Sequence, residues 1–290
     1  MRCNATALRY RLEYIGFRLV GSLLARMPVE AASAVSGWIW RMIAPHLHRH
    51  KRALANLALA LPDMTRIQRE TTARAMWDNL GRTFAESFHL KELAVSDRIH
   101  VEQPDLVAEI ARSGAGSVFC AGHLANWELL VAPMADLGMK PAGIYQKVKN
   151  PLVDAWIRNS RAFLYTGGLL PKDRSSARAL TRHAKSGGAI VLLADLRDFT
   201  GVRVAFFDQP APSTPFPATL ARLLDVPLVV ATMVRLPGVR FAICIERLDI
   251  KRSDDRNADI LAATRAVQMR LESAIRANPG QWMWGHRRWG

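Results

Sequence analysis

The chain has 290 residues, half of them hydrophobic, with 40 Lys or Arg against 25 Asp or Glu and a formal net charge of +15. That length and apolar content exclude a disordered or fibrous chain and indicate an enzyme-sized globular protein. The three scattered cysteines, Cys3, Cys120 and Cys244, exclude a disulfide scaffold and fit a reducing, cytoplasmic setting.

The charge excess calls for an anionic partner: nucleic acid, an anionic membrane surface, an acidic carrier protein or a phosphorylated substrate. From the N-terminus, apolar stretches over 14–24 and 31–43 are broken by Arg18, Arg26, Glu30 and Arg41, so no uncharged run reaches the length of a membrane span. Arg18 inside the first stretch also argues against a cleaved signal peptide. The region reads as basic and amphipathic, expected either to lie in a membrane interface with Trp38 and Trp40 at the headgroup level or to pack as a helix with scattered surface arginines. Ala73, Met76, Trp77, Leu80, Phe84 and Phe88 recur at spacings of three and four, predicting a helical N-terminal part punctuated by Pro28, Pro45 and Pro62. His46, His48 and His50 alternate beside Arg49, Lys51 and Arg52, and a cationic neighbourhood opposes metal binding, so 46–52 reads as a solvated basic segment.

Beyond residue 101 short apolar runs predict strands at 117–121, 142–145, 189–194, 227–234 and 241–246, with helices near 151–163, 175–186, 216–224 and along Ile260, Val267, Leu271 and Ile275. Continuous rather than alternating runs imply strands covered on both faces. The expected class is α/β, a layered sheet of largely parallel or mixed strands over 101–290, with a helical, membrane-associating part over 1–100.

Residues 120–128 read CAGHLANWE directly after the run 117–119, which puts His123 at the carboxyl end of a strand, where α/β sheets bind ligands. On one continuous helix His123 and Glu128 would stand roughly 140° apart, so they meet only if His123 lies in the turn before the helix. If they meet, the carboxylate fixes the imidazole tautomer while the other ring nitrogen takes a proton from an alcohol. Arg161 or Arg174 is a candidate holder of a phosphate or an oxyanion. No Gly-rich phosphate loop, HExxH or paired-cysteine zinc pattern occurs, and the chemistry needs no metal or cofactor.

Gly122, His123, Asn126, Trp127 and Glu128 resemble the HxxxxD/E signature of the lipid A late acyltransferases, the lauroyl and myristoyl transferases of Gram-negative envelope synthesis. Further blocks agree in order: 52–57 with Leu61 and Pro62; 77–82 with Glu86; Tyr145, Asn150, Pro151 and Asp154; Asp195; Phe206 and Phe207 with Ser213 and Thr214; and 281–288. The resemblance implies a fold like that of the glycerol-3-phosphate acyltransferases. It also implies transfer of a fatty acyl group from acyl-acyl carrier protein to a hydroxyl of a lipid A precursor, at the cytoplasmic face of the inner membrane. His123 and Glu128 would be catalytic, and Asp195, Asn126, Arg161, Lys147 and Asn150 would face substrate. Partners would be the carrier protein, an anionic lipid acceptor and the membrane surface, with no nucleic acid. Gln146, Leu196 and Asp208 stand where the family usually has arginine, glutamine and glycine. The alternatives are another glycolipid or phospholipid acceptor, or a non-catalytic basic protein binding membrane or nucleic acid, for which no nucleic-acid-binding signature is present.

Overall fold

The computed structural model describes residues 2–290, without the side chains of Arg2, Cys3, Asn4 and Arg174, so the candidate role of Arg174 lies outside what is described. Five helices come first: α1 (Arg2–Arg26), α2 (Val29–Ile43), α3 (His48–Ala60), α4 (Arg66–Glu86) and α5 (Leu90–Ala94). They are followed by β1 (Ile99–Val101), α6 (Pro104–Arg112), β2 (Ser117–Ala121), α7 (Ala132–Asp136), β3 (Ala142–Tyr145), α8 (Pro151–Arg161) and β4 (Gly168–Pro171). The chain continues through α9 (Arg174–Lys185), β5 (Ala189–Leu193), β6 (Val202–Phe206), β7 (Gln209–Ser213), α10 (Phe216–Leu224), β8 (Leu228–Leu236), β9 (Arg240–Leu248) and α11 (Arg256–Ala277).

Seven strands form the main sheet in the order β1-β9-β8-β2-β5-β3-β4, every pair parallel except β8 with β9. The central apolar runs are covered on both faces, as their lack of alternation implies, whereas β9 alternates between buried and more open positions. In β2, Val118 and Cys120 join one buried cluster with Leu57, Met76 and Leu271, while Phe119 and Ala121 join another with Leu93, Ile110 and Val131. Fully burying a side chain such as Phe119 is worth roughly 1.5–3 kcal/mol. The helical N-terminal part therefore contributes to both layers of the core.

Two edge strands and a hairpin escape the sequence reading. β1 spans three residues, and β4 is half-buried and ends in a proline, which an edge strand tolerates because one side needs no ladder bonds. The antiparallel pair β6 and β7 turns at Phe207 and Asp208, both left-handed at φ 55° and 57°. A two-residue turn of that kind normally announces itself with Asn-Gly or Asp-Gly.

α2 and α4 cross closely. A Cβ on Gly81 would lie 2.6 Å from the Ser36 carbonyl oxygen, and Ser36 Oγ donates to Gly81 O at 2.7 Å. Thr65 starts α4 with a reciprocal capping box to Gln68. No helix among the described residues is long and apolar enough to cross a membrane. α1 and α2 instead leave Leu8, Leu12, Ile15, Leu19, Leu23, Trp38, Ile39 and Met42 exposed. Trp40 corrects the expectation made for it: it turns inward, with ring centroids 6.4 Å from Trp77 and 6.1 Å from Phe84, and only Trp38 faces out.

Candidate active site

The adjacent parallel strands β2 and β5 end side by side, with Ala121 opposite Leu193, and the Ala194 N–H extends the ladder to Ala121 O at 2.8 Å. The next residues are Gly122 and His123 on one chain segment and Asp195 on the other, so the pairing delivers carboxylate to imidazole. His123 donates from its backbone N–H to Asp195 Oδ2 at 2.7 Å, and its Nδ1 lies 2.8 Å from Asp195 Oδ1. Trp282 Nε1 also donates to Oδ2, at 2.7 Å. Asp195 is 1% exposed. Burial alone would push its carboxyl up, but the charge of a protonated His123 and these three hydrogen bonds hold it well below the usual carboxylate range.

The segment after His123 is a loop that leads into a 3-10 turn at Leu129–Val131, not a helix that would carry both proposed catalytic residues. Ala125 takes a left-handed conformation, φ 49°, which costs about 1 kcal/mol or more for a residue with a Cβ. Three bonds hold it there: its N–H to Gln281 O, and its carbonyl from Asn79 Nδ2 at 3.1 Å and Thr83 Oγ1 at 3.0 Å. Asn126 then points into the protein and donates to Glu86 Oε2 at 2.8 Å. Glu86 is fully buried, accepts from Ser33 Oγ at 2.7 Å and is ion-paired with Arg235, which also reaches Asn79 and Thr83. This network ties α2, α4 and β8 to the loop that carries His123.

The expected pairing of His123 with Glu128 is therefore corrected. Glu128 lies 2.7 Å from Arg161 of α8, and no hydrogen bond or ion pair joins it to His123 among the described residues. The left-handed turn at Ala125 redirects the chain, so the carboxylate on the imidazole comes from the neighbouring strand. Asp195 is bonded to His123 and Trp282 and lies outside the cavity lining. Asn126 lies outside the cavity lining, its amide nitrogen on Glu86 and its Oδ1 buried without a partner among the described residues. Asn150 caps α8 by accepting from Leu152 N and Val153 N, and its amide donates to Tyr10 O and Glu13 Oε2 of α1. Lys147 is exposed and outside the cavity lining. Of the five residues expected on substrate, Arg161 alone lines the cavity.

That cavity, about 560 Å³, holds His123, Glu128, Arg161 and Tyr165 against an apolar wall that includes Ile144, Ile157, Leu169 and Phe216. Tyr145 OH donates to Asp154 at 2.9 Å and braces β3 against α8. The His123 ring is flanked by Trp127 and His286, each with its centroid 5.0 Å away. His286 is pushed down to about 4, first by burial and then by the positive charge at His123, Arg49 and Arg52, so it is neutral near pH 7. His50 is not solvated: it is buried, accepting from Trp77 Nε1 at 3.0 Å and paired with Glu70 at 3.1 Å. No group of three or more His, Cys, Asp or Glu side chains among the described residues is placed to hold a metal.

Sequence reasoning missed Trp282, His286, Glu86 and Arg235 as parts of this site. Trp282 and His286 sit in the closing block, and Glu86 in the second, so their blocks were visible while their contacts were not. A search of curated proteins finds no significant match. The family model described as bacterial lipid A biosynthesis acyltransferase matches residues 3–290, which takes in every element that builds the site: the chain belongs to that family.

Proposed function

We propose that this protein moves a fatty acyl group from the thioester of an acyl-acyl carrier protein to a hydroxyl of a lipid A precursor, at the cytoplasmic face of the inner membrane. Family membership makes it an acyltransferase of the lipid A type. The observation that carries the mechanism is the His123–Asp195 bond at the wall of the cavity. An ionised carboxylate only accepts, so Nδ1 carries the proton and the lone pair lies on Nε2. Nε2 takes the hydroxyl proton as the oxygen attacks the thioester carbonyl. The tetrahedral intermediate then collapses, the thiolate leaves, and the imidazolium returns the proton to it.

Arg161, held by Glu128 in the same cavity, supplies guanidinium donors to the oxyanion of that intermediate. In this reading Glu128 acts through Arg161 and not through the imidazole. The apolar wall suits an acyl chain, and the exposed stripe on α1 and α2 supports contact with a bilayer. The net charge of +15 favours encounter with an acidic carrier and a phosphorylated lipid.

The test is incubation of the purified protein with acyl-acyl carrier protein and a lipid A precursor, followed by mass spectrometry of the lipid. A gain of one acyl group that depends on the carrier-bound donor is expected. Equal transfer from acyl-coenzyme A would contradict the donor, and no transfer to the lipid would contradict the acceptor.

A further inference from the structure

Beside the His123 cavity lies a second opening of about 570 Å³, which shares Lys172, Leu196, Arg197 and His286 with it. His48, Arg49 and Arg52 of α3 and Arg287 of the closing segment complete its polar wall, and no Asp or Glu lines it. Most arginines near the core, such as Arg161, Arg222 and Arg235, have carboxylate partners. Among the described residues Arg49, Arg52, Lys172 and Arg287 have no ion-pair partner, and Arg197 donates to Gly290 O at 2.7 Å. Five cations around one concave opening repel one another until an anion enters.

The wall is held in place. Asn56 Nδ2 donates to Trp284 O at 2.7 Å and to His286 O at 2.8 Å, while Arg52 reaches Gly285 O at 3.2 Å. These bonds lock α3 against the segment that carries His286 and Arg287, and Arg197 is stacked 3.9 Å over the Phe199 ring. The basic segment around Arg49 is thus solvent-exposed and forms one side of a fixed cleft.

We propose that this opening binds a phosphate monoester dianion on the headgroup of the acceptor lipid and thereby sets which hydroxyl reaches His123. The inference rests on the acyltransferase reading. Guanidinium groups match phosphate oxygens in paired, charge-assisted hydrogen bonds. The opening is far larger than a bare phosphate requires, and Met76, Trp77 and Leu80 give it an apolar side suited to a phosphate borne on a sugar ring. Because the two openings share a wall at His286, whose ring centroid lies 5.0 Å from that of His123, a headgroup anchored in one presents a neighbouring hydroxyl to the base in the other.

Titration calorimetry on the detergent-solubilised full chain tests this with N-acetylglucosamine 1-phosphate, N-acetylglucosamine and inorganic phosphate. The phosphorylated sugar is expected to bind, the unphosphorylated sugar not to bind, and affinity to fall with salt. Arg49→Gln with Arg287→Gln, both exposed positions, should weaken binding by on the order of tenfold or more. This measurement needs no turnover, so a failure of the acyl-transfer reading does not imitate a failure here. Undiminished binding in the double variant, or no binding by the wild type, would overturn the proposal. Inorganic phosphate binding as tightly as the sugar phosphate would overturn the headgroup assignment in favour of free phosphate. Loss of acyl carrier protein affinity with sugar-phosphate affinity retained would reassign the surface to the carrier.

Discussion

His123 Nδ1 lies 2.8 Å from Asp195 Oδ1, while Glu128, on the same loop, is turned 2.7 Å from Arg161. The two carboxylates of the site thus serve different partners. Asp195 sets the tautomer of the imidazole, and Glu128 sets the position of a guanidinium.

Asp195→Asn is expected to cost about 10²–10⁴-fold in kcat, because an amide permits the wrong tautomer at Nδ1. Glu128→Gln should cost less, since Arg161 stays in the cavity with a neutral partner. Steady-state kinetics with both variants decides the order, and a larger loss for Glu128→Gln would return the orienting role to that residue.

The same bond has a signature in acid. The Asp195 carboxyl is held below its unfolded value of about 3.9, so its contribution to stability is present above that pH and is lost as pH falls below it. Urea unfolding between pH 6 and pH 3 should show the wild type losing more stability than Asp195→Asn in the lowest part of that range.

His286 acts at higher pH. Its folded value of about 4 lies below the ordinary 6.5, so the unfolded chain binds the extra proton first and stability falls as pH drops from about 6.5 to about 4, by at most roughly 3 kcal/mol. His286→Gln should remove this step from the stability profile.

The buried Glu86 carboxylate joins Ser33, Asn126 and Arg235. Glu86→Gln leaves the Arg235 charge uncompensated and should destabilise by about 3–5 kcal/mol. Pairing it with Arg235→Met should recover part of that loss, and a double-mutant cycle measures how much.

Trp38 and Trp40 separate membrane contact from packing. Trp38→Ser should weaken binding to anionic phospholipid vesicles roughly tenfold with an unchanged melting temperature, whereas Trp40→Ala should lower the melting temperature. Equal vesicle binding by wild type and Trp38→Ser would remove this face from the membrane contact.

What was legible in the sequence follows from how local each signal is. The strands β2, β3, β5 and β8 announce themselves as apolar runs because both faces of the sheet are covered there, while β9 alternates between buried and more open positions. β4 and β1 do not, since edge strands are short and half-buried. The turn at Phe207 and Asp208 lacks a glycine; Asp208 stands where the family usually has one and accepts the left-handed conformation that glycine would take freely. His123 was legible from its place after a strand. Its partner was not, because Asp195 lies 72 positions away and is delivered by strand pairing, whereas the spacing to Glu128 is local. The inward turn of Asn126 depends on a left-handed Ala125, a conformation that no sequence pattern marks.

The central claim, that His123 is the base of an acyl transfer, is tested most directly by single-turnover transfer to the lipid hydroxyl with purified, folded His123→Ala. The rate is expected to fall by about 10²–10⁴-fold with an unchanged melting temperature. Transfer at close to the wild-type rate by that folded variant would contradict it.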